Sequence, residues 1–258
     1  MATEQDLLVA RIYLRAVLPV IKVLLEDDPK TARKFANTRA TVQFVARDGQ
    51  GPVGAYLQFA DGGMEVVQGI AEHPDLTFGF SSVAKMNALF AGKPALPRIR
   101  GWLRLGLLVK MLGLLMGLKL LLPTRKTKTP EETKLKVKMT LYMVTTALSQ
   151  LNKAGYPAMV KWTSKQPERI YQWSVNGSDI ACYVKVKAGN TKSGRGLYTR
   201  RMPFVHTRFR SAADALPLLA NQVDTVEAMR QGLVAVEGSP EYGGQISDFM
   251  LRIAKMIT

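Results

Sequence analysis

The chain repeats itself, and that repeat limits its folds more than any other feature. Aligning "HPDLTFGFSSVAKMNALFAG" (residues 73–92) with "MPFVHTRFRSAADALPLLAN" (202–221) pairs Pro74 with Pro203, Phe80 with Phe209, Ser82 with Ser211, Leu89 with Leu218 and Ala91 with Ala220, always 129 residues apart. Upstream, "GAYLQFADG" echoes "ACYVKVKAG" around Tyr56 and Tyr183, and downstream Gly101 of "RGWLRL" is matched with Gly232 of "QGLVAV". Agreement in order, spacing and element type across three blocks reads as an internal duplication. A chain of 258 residues divides into two domains of roughly 100 to 150 residues, each long enough to bury its own core. The expected division is 1–128 and 129–258.

Hydrophobic periodicity supplies the elements of each copy. Leu7, Leu14 and Ile21 share one heptad position and Ala10, Val17 and Leu24 another, which predicts an amphipathic helix over residues 6–26 kinked at Pro19. Four strands follow, "ATVQFVA", "VGAYLQFA", "GMEVVQG" and "DLTFGFS", punctuated by Asp48-Gly49 and Asp61-Gly62-Gly63 and expected to form a meander. Ser82 caps a short helix to about Ala91, and a further strand in "GKPALPRIRGWLRL" runs into a leucine-rich helix stopped by Pro123. Residues 123–133 form a polar connector, and a long helix from about Glu131 to Lys153 opens the second copy. The plan is α+β: in each copy, a mostly antiparallel sheet with helices packed on one face.

The stretch "RLGLLVKMLGLLMGLKLLLP" stands out in a chain whose net charge is +16. Lys110 and Lys119 interrupt it, so it is too short for a membrane span of roughly 20 apolar residues. The two lysines lie about 180° apart around a helix, which leaves no single polar face and predicts cover on both flanks. Gly106, Gly113 and Gly117 fall within about 40° of one another and form a shallow groove where a backbone or ligand can approach.

These features resemble the sterol carrier protein type 2 domain. The resemblance rests on "FADGGMEVVQGIAEHPDLTFGFSSVAKMNALFAGKPALPRIRGWLRL" and "PFVHTRFRSAADALPLLANQVDTVEAMRQGLVAVEG", and covers roughly residues 37–122 and 159–257. It implies tandem sterol-carrier-like domains, each with an apolar tunnel between sheet and helices that binds a fatty acyl chain, sterol, phospholipid or quinone-like molecule without catalysis or cofactor. Carried onto this sequence, the tunnel of the first copy would use Phe78, Phe80, Met86, Leu89 and Phe90, then Leu103, Leu105, Leu108, Met111, Leu112, Leu115 and Met116. The second copy would use Phe209, Leu219, Phe249, Met250 and Ile253. Phe204 stands where the first copy has Asp75, and Asn221-Gln222 replaces Gly92-Lys93, so the second pocket is expected to be smaller or filled.

Charge adds an expected partner. Ten Lys or Arg and no acid lie between Asp75 and Glu131, and eight lie between Asp179 and Asp214. Such a field attracts anionic membrane, acidic lipid head groups or nucleic acid. Arg98, Arg100, Arg104, Lys110, Lys119, Arg125, Lys126 and Lys128 accompany the leucine-rich helix, so apolar and electrostatic attachment to a membrane surface would act at one place. A nucleic-acid-binding protein and an accessory subunit that presents lipid to an enzyme are the alternatives; stacking aromatics are sparse in the basic segments. The lone Cys182 excludes a disulfide within the chain, and with the acidic N-terminus, which lacks a secretory signal, it places the protein in the cytoplasm, peripheral to membrane. No Cys or His cluster has metal-ligand spacing. His73 and His206 occupy different positions in the two copies, and "SGRGLY" is expected to be a hairpin turn rather than a phosphate loop.

Overall fold

The computed structural model describes residues 1–257 and divides them into two compact α+β units, Met1–Arg125 together with Ile257, and Lys126–Met256. In the first, α1 (Glu4–Ile12) opens on a capping box in which Thr3 accepts from the Asp6 backbone N–H and Asp6 reaches back to the backbone of Thr3. It passes through a π-helical turn at Tyr13–Val17 and a 3₁₀ turn at Leu18–Val20 into α2 (Ile21–Asp27), so the expected kink falls at Pro19, which cannot donate to a regular helical ladder. Then come α3 (Pro29–Phe35), β1 (Ala40–Ala46), β2 (Val53–Ala60), β3 (Gly63–Gln68), β4 (Leu76–Phe80), α4 (Val83–Phe90), β5 (Arg98–Arg100) and α5 (Leu105–Leu118).

The second unit contains α6 (Pro130–Lys153), α7 (Pro157–Ser164), β6 (Arg169–Val175), β7 (Ala181–Lys187), β8 (Asn190–Arg195), β9 (Val205–Phe209), α8 (Ala212–Leu219), α9 (Thr225–Arg230), β10 (Val234–Gly238) and α10 (Pro240–Met256). The sheets run β3-β2-β1-β4-β5 and β8-β7-β6-β9-β10, the same order in both units. Ser82 and Ser211 cap corresponding helices by accepting from the backbone N–H three residues on, Lys85 and Asp214 respectively.

Two sequence expectations need correction. Neither sheet is a meander: β4 lies parallel to β1, and β9 parallel to β6. After the β2–β3 hairpin the chain crosses back to the free edge of β1, and alternation within a strand carries no information about which edge it will join. The true counterpart of Gly101 is Gly238, not Gly232. Both have positive φ, +79° and +96°, and a Cβ would lie 2.1 Å from the Asp75 carbonyl oxygen in one case and 2.0 Å from that of Phe204 in the other. Asp75 and Phe204 are themselves 129 residues apart. The helix α9, which has no counterpart in the first unit, accounts for the lost register.

Alternation sorts each sheet into two faces. In β1 and β4, Val42, Phe44, Ala46, Leu76, Phe78 and Phe80 are buried, and Phe44 stacks on Phe78 with ring centroids 5.0 Å apart. Between them, Gln43, Val45, Thr77 and Gly79 form the opposite face. "SGRGLY" is not a turn: Gly194 sits inside β8, where the Tyr183 ring lies across it and leaves no room for a Cβ.

Candidate functional site

The leucine-rich stretch folds as α5 but is not covered on both flanks. Its start is fixed by Arg104, whose guanidinium reaches Asp75 at 2.6 Å, and it ends in a 3₁₀ turn at Lys119–Leu121 before the chain becomes extended at Leu122. One face, Met111, Leu114 and Leu118, is buried in the first unit. Gly117 permits close approach of α2, since a Cβ there would come within 2.8 Å of Leu24 Cδ1. Lys110 leans inward, donating to Thr38 Oγ1 at 2.9 Å and lying 5.8 Å above the Phe35 ring.

The opposite face is open. Leu105, Val109, Leu112 and Met116 are 61%, 69%, 46% and 60% exposed, and their spacing of four, three and four places them within about 60° of each other. Trp102 and Leu103, in the turn leading to the helix, are also exposed. Among the described residues, nothing lies within 4 Å of a Cβ built at Gly106 or Gly113, so that side of the helix is open too. Isolated surface apolar residues are ordinary, but a helical row of four extended by two more forms a contiguous patch of the kind that marks an interaction surface. Its sequence neighbours are cationic: Arg98, Arg100 and Lys119 are exposed, and Arg104 is ion-paired yet largely exposed. Arg125, Lys126 and Lys128 are exposed as well, the latter two at the start of the second unit. No helix among the described residues is long and apolar enough to cross a membrane.

The structure thus divides the residues named for a tunnel. Phe78, Phe80, Met86 and Met111 are fully packed core, Leu89, Phe90, Leu108 and Leu115 are half-buried, and Leu103, Leu105, Leu112 and Met116 face outward. Phe90 stacks on Tyr13 at 5.2 Å. In the second unit, Phe209, Phe249 and Ile253 are buried and Leu219 and Met250 half-buried. Phe249 packs on Trp162, with ring centroids 5.5 Å apart, beside a cleft of about 420 Å³ between α7 and α10.

One arrangement escaped the sequence reading. Ser174 Oγ lies 2.8 Å from His206 Nε2, and Gln172 Nε2 lies 3.2 Å from the same nitrogen. The three residues come from parallel neighbours β6 and β9, 32 positions apart between Ser174 and His206, so no local motif marks them. A serine and histidine at this distance can form a nucleophile and base, but both are buried, and Glu237, opposite His206 on β10, is engaged by Arg208 at 3.1 Å. Burial, and then the charge of Arg208, holds the imidazole pKa below its usual value, partly offset by Glu237. With both side chains buried and Gln172 on the same ring nitrogen, the three residues form a buried polar network. Burial likewise pushes the Cys182 thiol up to about 12, which keeps it protonated. Among the described residues, no group of three or more His, Cys, Asp or Glu side chains could hold a metal ion.

No protein-family model matches the chain. No curated protein matches it either. Among solved structures, a double mutant of the sec-alkyl sulfatase PisA1 aligns at 13% identity over 47% of this chain and 24% of that one, with a TM-score of 0.29. A likeness of that extent carries no argument about fold or activity.

Proposed function

We propose that the protein is a non-catalytic lipid-binding and lipid-transfer protein of two sterol-carrier-like units, cytoplasmic and peripheral to anionic membrane. The observation that supports it most is the uncovered apolar row of α5. A helix that buries Met111, Leu114 and Leu118 on one side and exposes Leu105, Val109, Leu112 and Met116 on the other suits a position between a protein core and a second apolar phase. The Arg and Lys side chains flanking it suit anionic head groups, each contributing about 1 kcal/mol near such a surface. The ligand is an acyl chain, sterol, phospholipid or quinone-like molecule taken up by the first unit.

Transfer of a fluorescent fatty acid or phospholipid from donor to acceptor vesicles tests this reading. The rate is expected to rise in proportion to protein, to require anionic lipid in at least one vesicle population, and to fall as salt screens the cations. Transfer no faster than the spontaneous rate would remove the function.

A further inference from the structure

The outer face of the first sheet, turned away from the helical layer, carries a cavity of about 570 Å³. Its floor is Gln43, Val45, Thr77 and Gly79, and Arg98 and Arg100 of β5 reach it because they pair with Gly79 and Thr77, while Ile99 pairs with the inward Phe78. Arg47 completes the cationic rim, and Glu72 is the acid in the lining. Three guanidiniums and one carboxylate give the cavity a formal charge of 3 − 1 = +2.

The second unit provides an internal control. Gln43 and Gln172 stand at equivalent positions and do the same work: each carbonyl oxygen accepts, at 2.7 Å, a backbone N–H from the segment crossing that face, Ala71 in one unit and Tyr198 in the other. Beyond that point the faces diverge. Where the first unit has Val45, Thr77 and Gly79, the second has Ser174, His206 and Arg208, each 129 residues on. Ser174 Oγ meets the His206 ring, and Tyr198 packs on Tyr183 at 5.0 Å, so larger, mutually engaged side chains stand on this face of the second unit. Gln172 Nε2 meets His206, whereas among the described residues only the carbonyl end of Gln43 is engaged. The same scaffold therefore carries large side chains on this face in one copy and small ones, with a cationic rim, in the other.

We propose that this cavity binds a phosphate group, free or carried by a lipid head group. A planar guanidinium offers paired donors that match a phosphate's oxygens, and a net charge of +2 complements a phosphate monoester dianion. Thr77 Oγ1 and Gln43 Nε2 supply neutral donors on the floor, and Val45, Pro52, Ala71 and Pro74 offer apolar contact for whatever the phosphate is attached to. The site stands apart from the lipid-transfer reading, because inorganic phosphate can test it without any membrane.

Calorimetric titration of the full chain with inorganic phosphate and with water-soluble dihexanoyl phosphatidic acid decides the matter. Arg98→Gln with Arg100→Gln is expected to weaken binding at least tenfold. Gly79→Leu, which fills the floor without adding charge, is expected to abolish it; the Cβ would be 3.4 Å from the Arg98 carbonyl oxygen, ordinary contact, so the protein should still fold. Equal binding of the two probes assigns the site to free phosphate, and preference for the phosphatidic acid assigns it to a head group. If neither probe binds at millimolar concentration, or if the paired Arg→Gln variant binds as tightly as the parent, the site does not exist.

Discussion

Replacing Val109 and Leu112 with glutamate is expected to lower affinity for anionic vesicles about a hundredfold while leaving the melting temperature unchanged. Both side chains lie in the exposed row of α5, so the folded protein loses no core contact, and surface changes of this kind typically fall within about 0.5 kcal/mol. In a bilayer interface each apolar side chain is worth about 1.5 kcal/mol at the low end of full burial, so losing two removes about 3 kcal/mol. The new carboxylates add repulsion from the anionic surface. Leu114→Glu is the informative contrast: Leu114 is buried on the opposite face, so this change should unfold the first unit rather than release a folded protein. Cosedimentation with vesicles, paired with thermal melts, separates the outcomes. Unchanged vesicle binding by the Val109→Glu, Leu112→Glu protein would assign the row to something other than membrane.

A comparably large effect on stability is expected at Gly101 and its counterpart Gly238. Gly101→Ala puts a Cβ 2.1 Å from the Asp75 carbonyl oxygen at a φ of +79°, so the substitution carries left-handed strain together with a backbone clash. Relief requires β5 to move off β4 just where Thr77 pairs with Arg100. The cost should exceed about 4 kcal/mol, which lowers the melting transition of a unit of this size by roughly 10 to 20 °C. Gly238→Ala should act the same way on the second unit. Gly113→Ala, in open space on α5, should instead stabilise the helix by about 0.5 to 1 kcal/mol. Hydrogen exchange assigns each transition to its unit. A Gly101→Ala protein that melts like the parent would contradict the placement of this turn.

Particular residues show why some of this was legible in the sequence and some was not. The strands of the first unit emerge with bounds close to those expected because Val42, Phe44 and Ala46 alternate with Gln43 and Val45, and alternation is a local signal. The parallel pairing of β4 with β1 is not local, and a meander was the wrong inference. The duplication was visible where the copies keep a constant offset and misled where α9 intervenes, since a glycine at the right distance is easily taken for the one that fills a strained turn. For α5, composition located the helix but not its cover. Apolar residues all around do not say which side the protein covers. The row at 105, 109, 112 and 116 could have been counted beforehand. That it faces outward depends on α2 and α3 packing on the other side. The open face of the first sheet could have been found by comparing the copies, because Gly79 against Arg208 and Thr77 against His206 are differences of size that the alignment already displayed.

Mass spectrometry of the organic extract of the purified protein tests the central claim, lipid binding, most directly. One apolar lipid or quinone-like species in amounts approaching that of the protein is the expected result, retained by the Val109→Glu, Leu112→Glu variant because those side chains point away from the core. An extract with no such molecule, from a protein that also fails to bind fluorescent fatty acids, would contradict it.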